Sequence, residues 1–203
     1  MTAVTGWIWA IGRLLGISTA AGVRMWATLF MISLLSREGW GFHVPERFDW
    51  LESTPALLIL LALTIVEIAS DKVPSLERVF DRPATPLKVA VGALAGACAL
   101  GHGWLGGGIG LAAGGAAAWL ALHTRRAWRP RTGPGSTTLP LISLLEDLAA
   151  AMVALLSAVL PPVGYAVFGW TIWLFVRLRG RRAAKYRGLG GAAAGAAGAG
   201  DET

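Results

Sequence analysis

The sequence predicts an all-α, polytopic integral membrane protein of about six transmembrane helices plus an N-terminal interfacial or re-entrant helix. Three observations predict it. Hydrophobic residues make up 55% of the 203 residues and charged ones only 15%, with a mean hydropathy of +0.58, too apolar for an ordinary soluble domain. Residues 53–66, 89–124 and 148–176 contain no Asp, Glu, Lys or Arg, and about 20 mostly apolar residues suffice to cross a bilayer. The basic residues cluster at alternate connections between these runs.

Taken in order, residues 6–17 (GWIWAIGRLLGI) are too short to cross alone. They read as an interfacial helix anchored by Trp7 and Trp9, or as a re-entrant half-helix, with Gly16 to Gly22 loosening the chain before the first span. Spans are expected at 19–35, 55–71, 86–101, 104–123, 139–158 and 162–178, with Gly101-His102-Gly103 turning the chain between the third and fourth. Residues 36–54 form the one sizeable outer loop. After the second span, Leu76, Val79 and Phe80 share one face of a short helix suited to the inner leaflet. Residues 1–187 form a single helical membrane domain, and the Gly/Ala-rich stretch 188–203 has no core to bury and reads as a disordered tail.

Charge sets the direction. With the N-terminus inside, only Arg37 and Arg47 fall outside among the 18 basic residues; Arg13, Arg24, Lys72, Lys88, Arg125 and the C-terminal arginines fall inside, as the positive-inside rule requires. This predicts a multi-pass inner (plasma) membrane protein with both termini cytoplasmic. The pI near 10.4 therefore points to a lipid surface as the partner and away from nucleic acid. The single Cys98 excludes an internal disulfide. No G-x-S-x-G, H-E-x-x-H, Walker-type loop or C-x-x-C occurs, so neither an enzyme nor a cofactor is expected. His43, His102 and His123 do not converge in this topology, which speaks against a histidine metal site.

Glycines recur every fourth residue at Gly92 and Gly96 in the third span, and at Gly106, Gly110 and Gly114 in the fourth. Such spacing opens a groove for a second helix backbone. The partner is either the neighbouring span of the same hairpin or a second copy in a homo-oligomer.

The acids carry the functional expectation. Thr64, Glu67 and Asp71 fall at i, i+3 and i+7 of the second span; Ser143, Glu146 and Asp147 fall at i, i+3 and i+4 of the fifth. Both sets lie in the inner third of the membrane, level with Arg24 and near Lys72. Ionised side chains at that depth are costly and face a partner, a cavity or an ion path. As structure, the acids pair with Arg24, Lys72 and hydroxyls. As a cation site, Glu67, Asp71, Glu146 and Asp147 with Thr64 and Ser143 supply oxygen ligands. As a proton relay, crowded carboxylates share protons.

The strings Ser18-Thr19-Ala20-Ala21-Gly22-Val23-Arg24, Glu67-Ile68-Ala69-Ser70-Asp71-Lys72-Val73-Pro74 and Ser143-Leu144-Leu145-Glu146-Asp147 resemble the bacterial membrane-protein family catalogued as domain of unknown function 4126. The resemblance covers about residues 10–180. It implies a polytopic helical architecture and carries no activity with it. The expectation is a small transporter or channel for a cation or proton-coupled solute, or else a non-transporting scaffold or accessory subunit whose acids hold its own helices.

Overall fold

A computed structural model describes residues 3–70, 84–101, 103–128 and 138–199. The chain is all-α, with no strand among those residues. Seven α-helices follow in order: α1 (Ala3–Val23), α2 (Met25–Arg37), α3 (Thr54–Ser70), α4 (Ala84–Leu100), α5 (Gly103–Trp128), α6 (Thr138–Val159) and α7 (Pro161–Ala199), with a 3-10 turn at Glu46–Glu52 before α3. The last five overlap the apolar runs expected at 55–71, 86–101, 104–123, 139–158 and 162–178. The α7 helix passes position 188 without a break. Asp71, Lys72 and the expected amphipathic stretch 75–82 lie outside the described residues.

The start of the chain departs from expectation. The helix runs unbroken through Gly16–Gly22 and stops at Arg24, where one residue in extended backbone (φ −134°, ψ 96°) separates α1 from α2. The stretch 6–17 is not a separate surface helix. From Leu14 onward α1 is largely buried, and it packs against α2, α4, α5, α6 and α7. Glycine loosens a lone helix, but here it admits neighbours. A Cβ on Gly12 would stand 2.8 Å from the Tyr165 ring, one on Gly16 2.7 Å from Gly164 Cα, and one on Gly22 2.8 Å from Ala118 Cα.

The α1–α2 pair folds back on itself. Arg13 Nη2 donates to Gly41 O at 2.6 Å, although Arg13 precedes the break by three turns and Gly41 follows it by more than four. At about 1.5 Å per residue a straight continuation would hold them more than 30 Å apart. Arg13 therefore lies beside the 38–53 loop and not with the basic cluster where the sequence placed it. Tyr165 reaches the same part of α1, its hydroxyl donating to Ile8 O at 2.7 Å.

Local chemistry fixes the other turns. Gly39 ends α2 in the left-handed region (φ +69°), with Trp40 N donating to Leu35 O, as a helix C-terminus closed by glycine requires. Ser53 caps α3 by accepting from Ala56 N at 3.3 Å. The α4–α5 turn is clamped from the loop by Arg47 Nη2, which donates to Gly101 O and Gly103 O, both at 2.9 Å. A second single-residue corner, Leu160, joins α6 to α7, whose first helical residue is Pro161.

One end of the bundle thus gathers the first half of α1, the 38–53 loop, the α4–α5 turn and the Leu160 corner. Its core is apolar: Leu14, Ile17, Ile32, Phe42, Leu51 and Cys98 are all nearly inaccessible. The opposite end holds Arg24, Glu67, Lys88, Arg125, Glu146 and Asp147, all buried.

The glycine repeats meet inside the chain. A Cβ on Gly96 would lie 2.8 Å from Gly114 Cα, one on Gly110 2.8 Å from Ala97 Cα, and one on Gly114 2.9 Å from Gly96 Cα; Gly92 faces Gly114 and Ala118, and Gly106 faces the Leu100 carbonyl. These faces are used by the α4–α5 hairpin within the chain. Gly110→Ala should lower the thermal unfolding midpoint, with a cost of about 1–3 kcal/mol from overpacking backbone against backbone. Gly108→Ala, one residue pair away with open space around it, should leave the midpoint unchanged or raise it through helix propensity of up to about 1 kcal/mol. Indistinguishable midpoints would contradict the close α4–α5 approach.

Candidate functional site: a charged core at the helix break

Stopping α1 at Arg24 leaves the first N–H groups of α2 inside the bundle, where each needs an acceptor. Glu67 on α3 supplies both. Its Oε1 accepts from Met25 N and its Oε2 from Trp26 N, each at 3.1 Å. A carboxylate at a helix N-terminus also complements the helix dipole. The charges of Lys88 on α4 and of Arg24 both act on Glu67. Thr28 Oγ1 donates to Arg24 O at 2.7 Å, and Thr64 Oγ1 donates to Leu60 O at 2.7 Å, within α3.

The Arg24 side chain, wholly inaccessible to solvent, runs the other way to α6. Its Nε pairs with Asp147 Oδ1, and its Nη2 donates to Ser143 Oγ at 2.9 Å. One residue therefore breaks the helix, is held by α6 through its side chain, and offers its neighbours' amides to α3.

A second ion pair lies between α5 and α6. Arg125 Nε and Nη2 both approach Glu146 Oε2 at 2.9 Å. This pair lines a cavity of about 280 Å³ bounded by α1, α5, α6 and α7. Thr19, Thr124 and Thr171 also line it, and each donates its hydroxyl proton to the carbonyl four residues back: Leu15, Leu120 and Val167, at 2.6, 2.9 and 2.8 Å. What these hydroxyls have left to offer is oxygen lone pairs. Val153, Trp128, Trp170 and Leu174 supply apolar wall.

Of the residues singled out from sequence, Arg24, Ser143 and Asp147 meet directly, Glu67 meets the same junction through the backbone, and Glu146 turns to Arg125. Thr64 stays within its own helix, and Asp71 and Lys72 lie outside the described residues. The acids are thus distributed over separate partners, and no group of three or more His, Cys, Asp or Glu that could hold a metal occurs among the described residues. His43 is exposed on the loop, while His123 packs on the Trp119 ring at 4.2 Å.

Sequence reasoning placed Lys88 and Arg125 among the flanking inner charges and overlooked them as core residues. Each follows or precedes a long uncharged run by no more than one residue, so the sign of an inward-facing base was present but not separable from that of an interfacial one. The cavity threonines had no signal beyond being polar residues in apolar helices.

The fold and site define a class: an all-α bundle with a broken helix pair at its centre and an ion-paired polar core at one end. Within that class the family is shown by comparison. Residues 11–181 match the model of the Domain of unknown function (DUF4126), and the chain belongs to that family. No curated protein and no solved structure matches it.

Removing one member of a buried ion pair leaves the other charge uncompensated, at a cost of about 3–5 kcal/mol. Arg24→Leu should therefore sharply lower the unfolding midpoint. Arg37→Leu removes an exposed guanidinium that donates to Thr54 Oγ1 at 3.0 Å, and should cost about 1 kcal/mol or less. Equal midpoints for the two variants would count against the Arg24–Asp147–Ser143 arrangement.

Proposed function

We propose that this chain is a multi-pass membrane protein of the transporter or channel class, with the cavity beside Arg125 and Glu146 as its site for a small solute. The observation that carries this reading is the inverted polarity of the bundle. On α6, Ser143, Glu146 and Asp147 are buried, whereas the adjoining Leu144, Leu145 and Leu148 are 54%, 66% and 60% exposed. Leu58, Ile59, Ile65 and Val66 on α3, Leu105 and Ile109 on α5, and Trp170 and Val176 on α7 are exposed in the same way. Apolar surface on this scale suits hydrocarbon, and polar groups turned inward suit a bundle surrounded by lipid.

Among the described residues, α5 alone is long and apolar enough to cross a bilayer by itself; the 3-10 turn and α3 reach that length only together, across a 64° bend. In the proposed arrangement α3 to α7 cross, and α1–α2 forms a re-entrant hairpin with Arg24 at its tip. The 13 residues of α2 span about 20 Å, short of a hydrocarbon core of about 30 Å. Irregular backbone at membrane depth is tolerated where protein or a cavity surrounds it, and the Arg24 break is enclosed by protein. Among the described residues, Arg13, Arg37 and Arg47 are the basic residues on the loop side, so the positive-inside rule favours that side as external. The N-terminus is then outside and the Arg-rich C-terminal segment inside, in place of both termini inside.

A second reading, a scaffold or accessory subunit, is favoured by one observation: Glu67, Glu146 and Asp147 each have partners within the chain. Flux separates the two. Proteoliposomes shrunk in a hyperosmotic solution of a small organic solute should re-swell faster with the wild-type protein than without protein, and the gain should fall in Arg125→Gln. No gain with any of a series of neutral, anionic and cationic solutes would leave the scaffold reading standing.

Topology is tested separately. In a Cys98→Ser background, Val4→Cys and Trp40→Cys should react with an impermeant thiol reagent from outside the cell, and Arg179→Cys only after permeabilisation. Labelling of Val4→Cys and Arg179→Cys from the same side would exclude the re-entrant hairpin.

A further inference from the structure

Away from the ion-paired core, the outer surface of α4 and α5 carries an apolar groove of about 660 Å³. Thr85 and Trp119 line one end of it, and Ala93 and Leu111 the other. Its floor is made of small residues: Ala90, Ala93, Ala112, Gly115 and Ala116. A Cβ on Gly115 would meet Ala93 Cβ at 3.5 Å and Val89 Cγ1 at 3.6 Å, ordinary contact distances, where Gly110 and Gly114 of the same helix meet backbone. The rise from Leu111 to Trp119 is about 12 Å. That is most of one leaflet of a hydrocarbon core about 30 Å thick.

At the Trp119 end the groove gives way to cations. Trp119, His123 and Arg126 fall at i, i+4 and i+7 of α5, on one face. His123 packs on Trp119 with ring centroids 4.2 Å apart, and Arg126 Nη2 donates across to Thr85 Oγ1 of α4 at 2.7 Å. From α7, Phe175 meets Trp119 edge-on at 6.3 Å, and Arg179 Cζ lies over the Phe175 ring at 4.8 Å. A ring beneath a guanidinium holds it in place and leaves its in-plane N–H groups to other acceptors. Arg179 is exposed, and neither 119–135 nor 172–187 contains Asp or Glu.

We propose that the groove and its rim hold one anionic phospholipid of the inner leaflet, an acyl chain lying along α4–α5 and the phosphodiester on Arg179. This rests on the membrane placement proposed above and not on transport. Tryptophan suits the boundary between acyl chain and headgroup, a guanidinium matches a phosphate, and the inner leaflet is the one rich in anionic lipid. A second copy of the chain is the rival occupant. A two-fold pair of like-oriented chains has its axis along the membrane normal and apposes the same patch of each. It would set the cationic rim against itself at one depth, where like charges repel.

The test uses the full chain in dioleoylphosphatidylcholine vesicles with a minor share of acyl-brominated lipid, which quenches tryptophan on contact. Brominated phosphatidylglycerol should quench more than brominated phosphatidylcholine at the same share. The relative affinity should favour the anionic lipid about five-fold, the value for one arginine near the surface. Trp119→Phe should remove the excess, which locates it at the groove. Arg179→Gln and Ala116→Phe, both at exposed positions, should abolish the preference, the first by removing the guanidinium and the second by filling the floor. Arg177→Gln removes the same charge from a side chain that lies over Trp173 at 4.9 Å, and should keep the preference. Equal quenching by the two lipids, equal loss in Arg177→Gln and Arg179→Gln, an excess that survives Trp119→Phe, or its displacement by soluble glycerol phosphate would overturn the proposal. So would a Trp119 shielded from both lipids in a chain that crosslinks to its own copy, which would assign the groove to a dimer. Labelling of Val4→Cys and Arg179→Cys tests the membrane placement separately. With that placement upheld, a lost lipid preference overturns this site alone.

Discussion

The structure depends on a helix that is broken where nothing in its own sequence requires a break. Arg24 is neither glycine nor proline, and α1 approaches it through Ser18 to Val23 without distortion. What stops the helix is tertiary. Glu67 accepts the two amides that α2 exposes by starting afresh, and Asp147 with Ser143 fixes the side chain of the residue in between. Remove these partners and the cheapest backbone for residues 20–28 is a continuous helix. Such a helix could not place Arg13 beside Gly41, nor the 38–53 loop over the α4–α5 turn. A few charged contacts at one end therefore determine how the chain is laid out at the other.

This also accounts for the division of the core. Buried ion pairs are poor sources of stability, because the cost of desolvating both charges nearly cancels their attraction. Close packing of small residues and apolar side chains around α1 and along α4–α5 supplies cohesion, concentrated towards the loop end. The charged end contributes geometry. It selects one arrangement of α1, α2, α3 and α6 over alternatives with the same apolar contacts, since any other pairing would strand a buried charge.

Much of the helical framework was legible in the sequence, because apolar runs bounded by charge encode helices directly: the expected 55–71 is observed as Thr54–Ser70, and 139–158 as Thr138–Val159. The relevance of Glu67, Ser143, Glu146, Asp147 and Arg24 was legible too, since a charged side chain within an apolar helix must have a reason to be there. The fold-back at Arg24 was not. It arises from residues 43 to 123 positions further along the chain, and local propensity pointed instead to the glycines at 16 and 22, which serve as contact surfaces. The partner of Glu146 was hidden for a related reason. Arg125 and Arg126 are adjacent at the end of a long apolar helix, and only packing reveals that Arg125 turns into the core while Arg126 turns to Thr85.

The Arg24–Asp147 and Arg125–Glu146 ion pairs differ in their surroundings. The Arg24–Asp147 pair is locked by covalent necessity: its arginine is the break itself, so any movement of the side chain disturbs the ends of two helices and the carboxylate of a third. Arg125 and Glu146 lie within unbroken helices, Arg125 in the last turn of α5 and Glu146 inside α6. They also border open volume, into which a side chain or a solute can move. Glu146 and Asp147, adjacent in sequence and chemically alike, are thus given different partners by what each one faces: Arg125 beside the cavity, and Arg24 at the helix break.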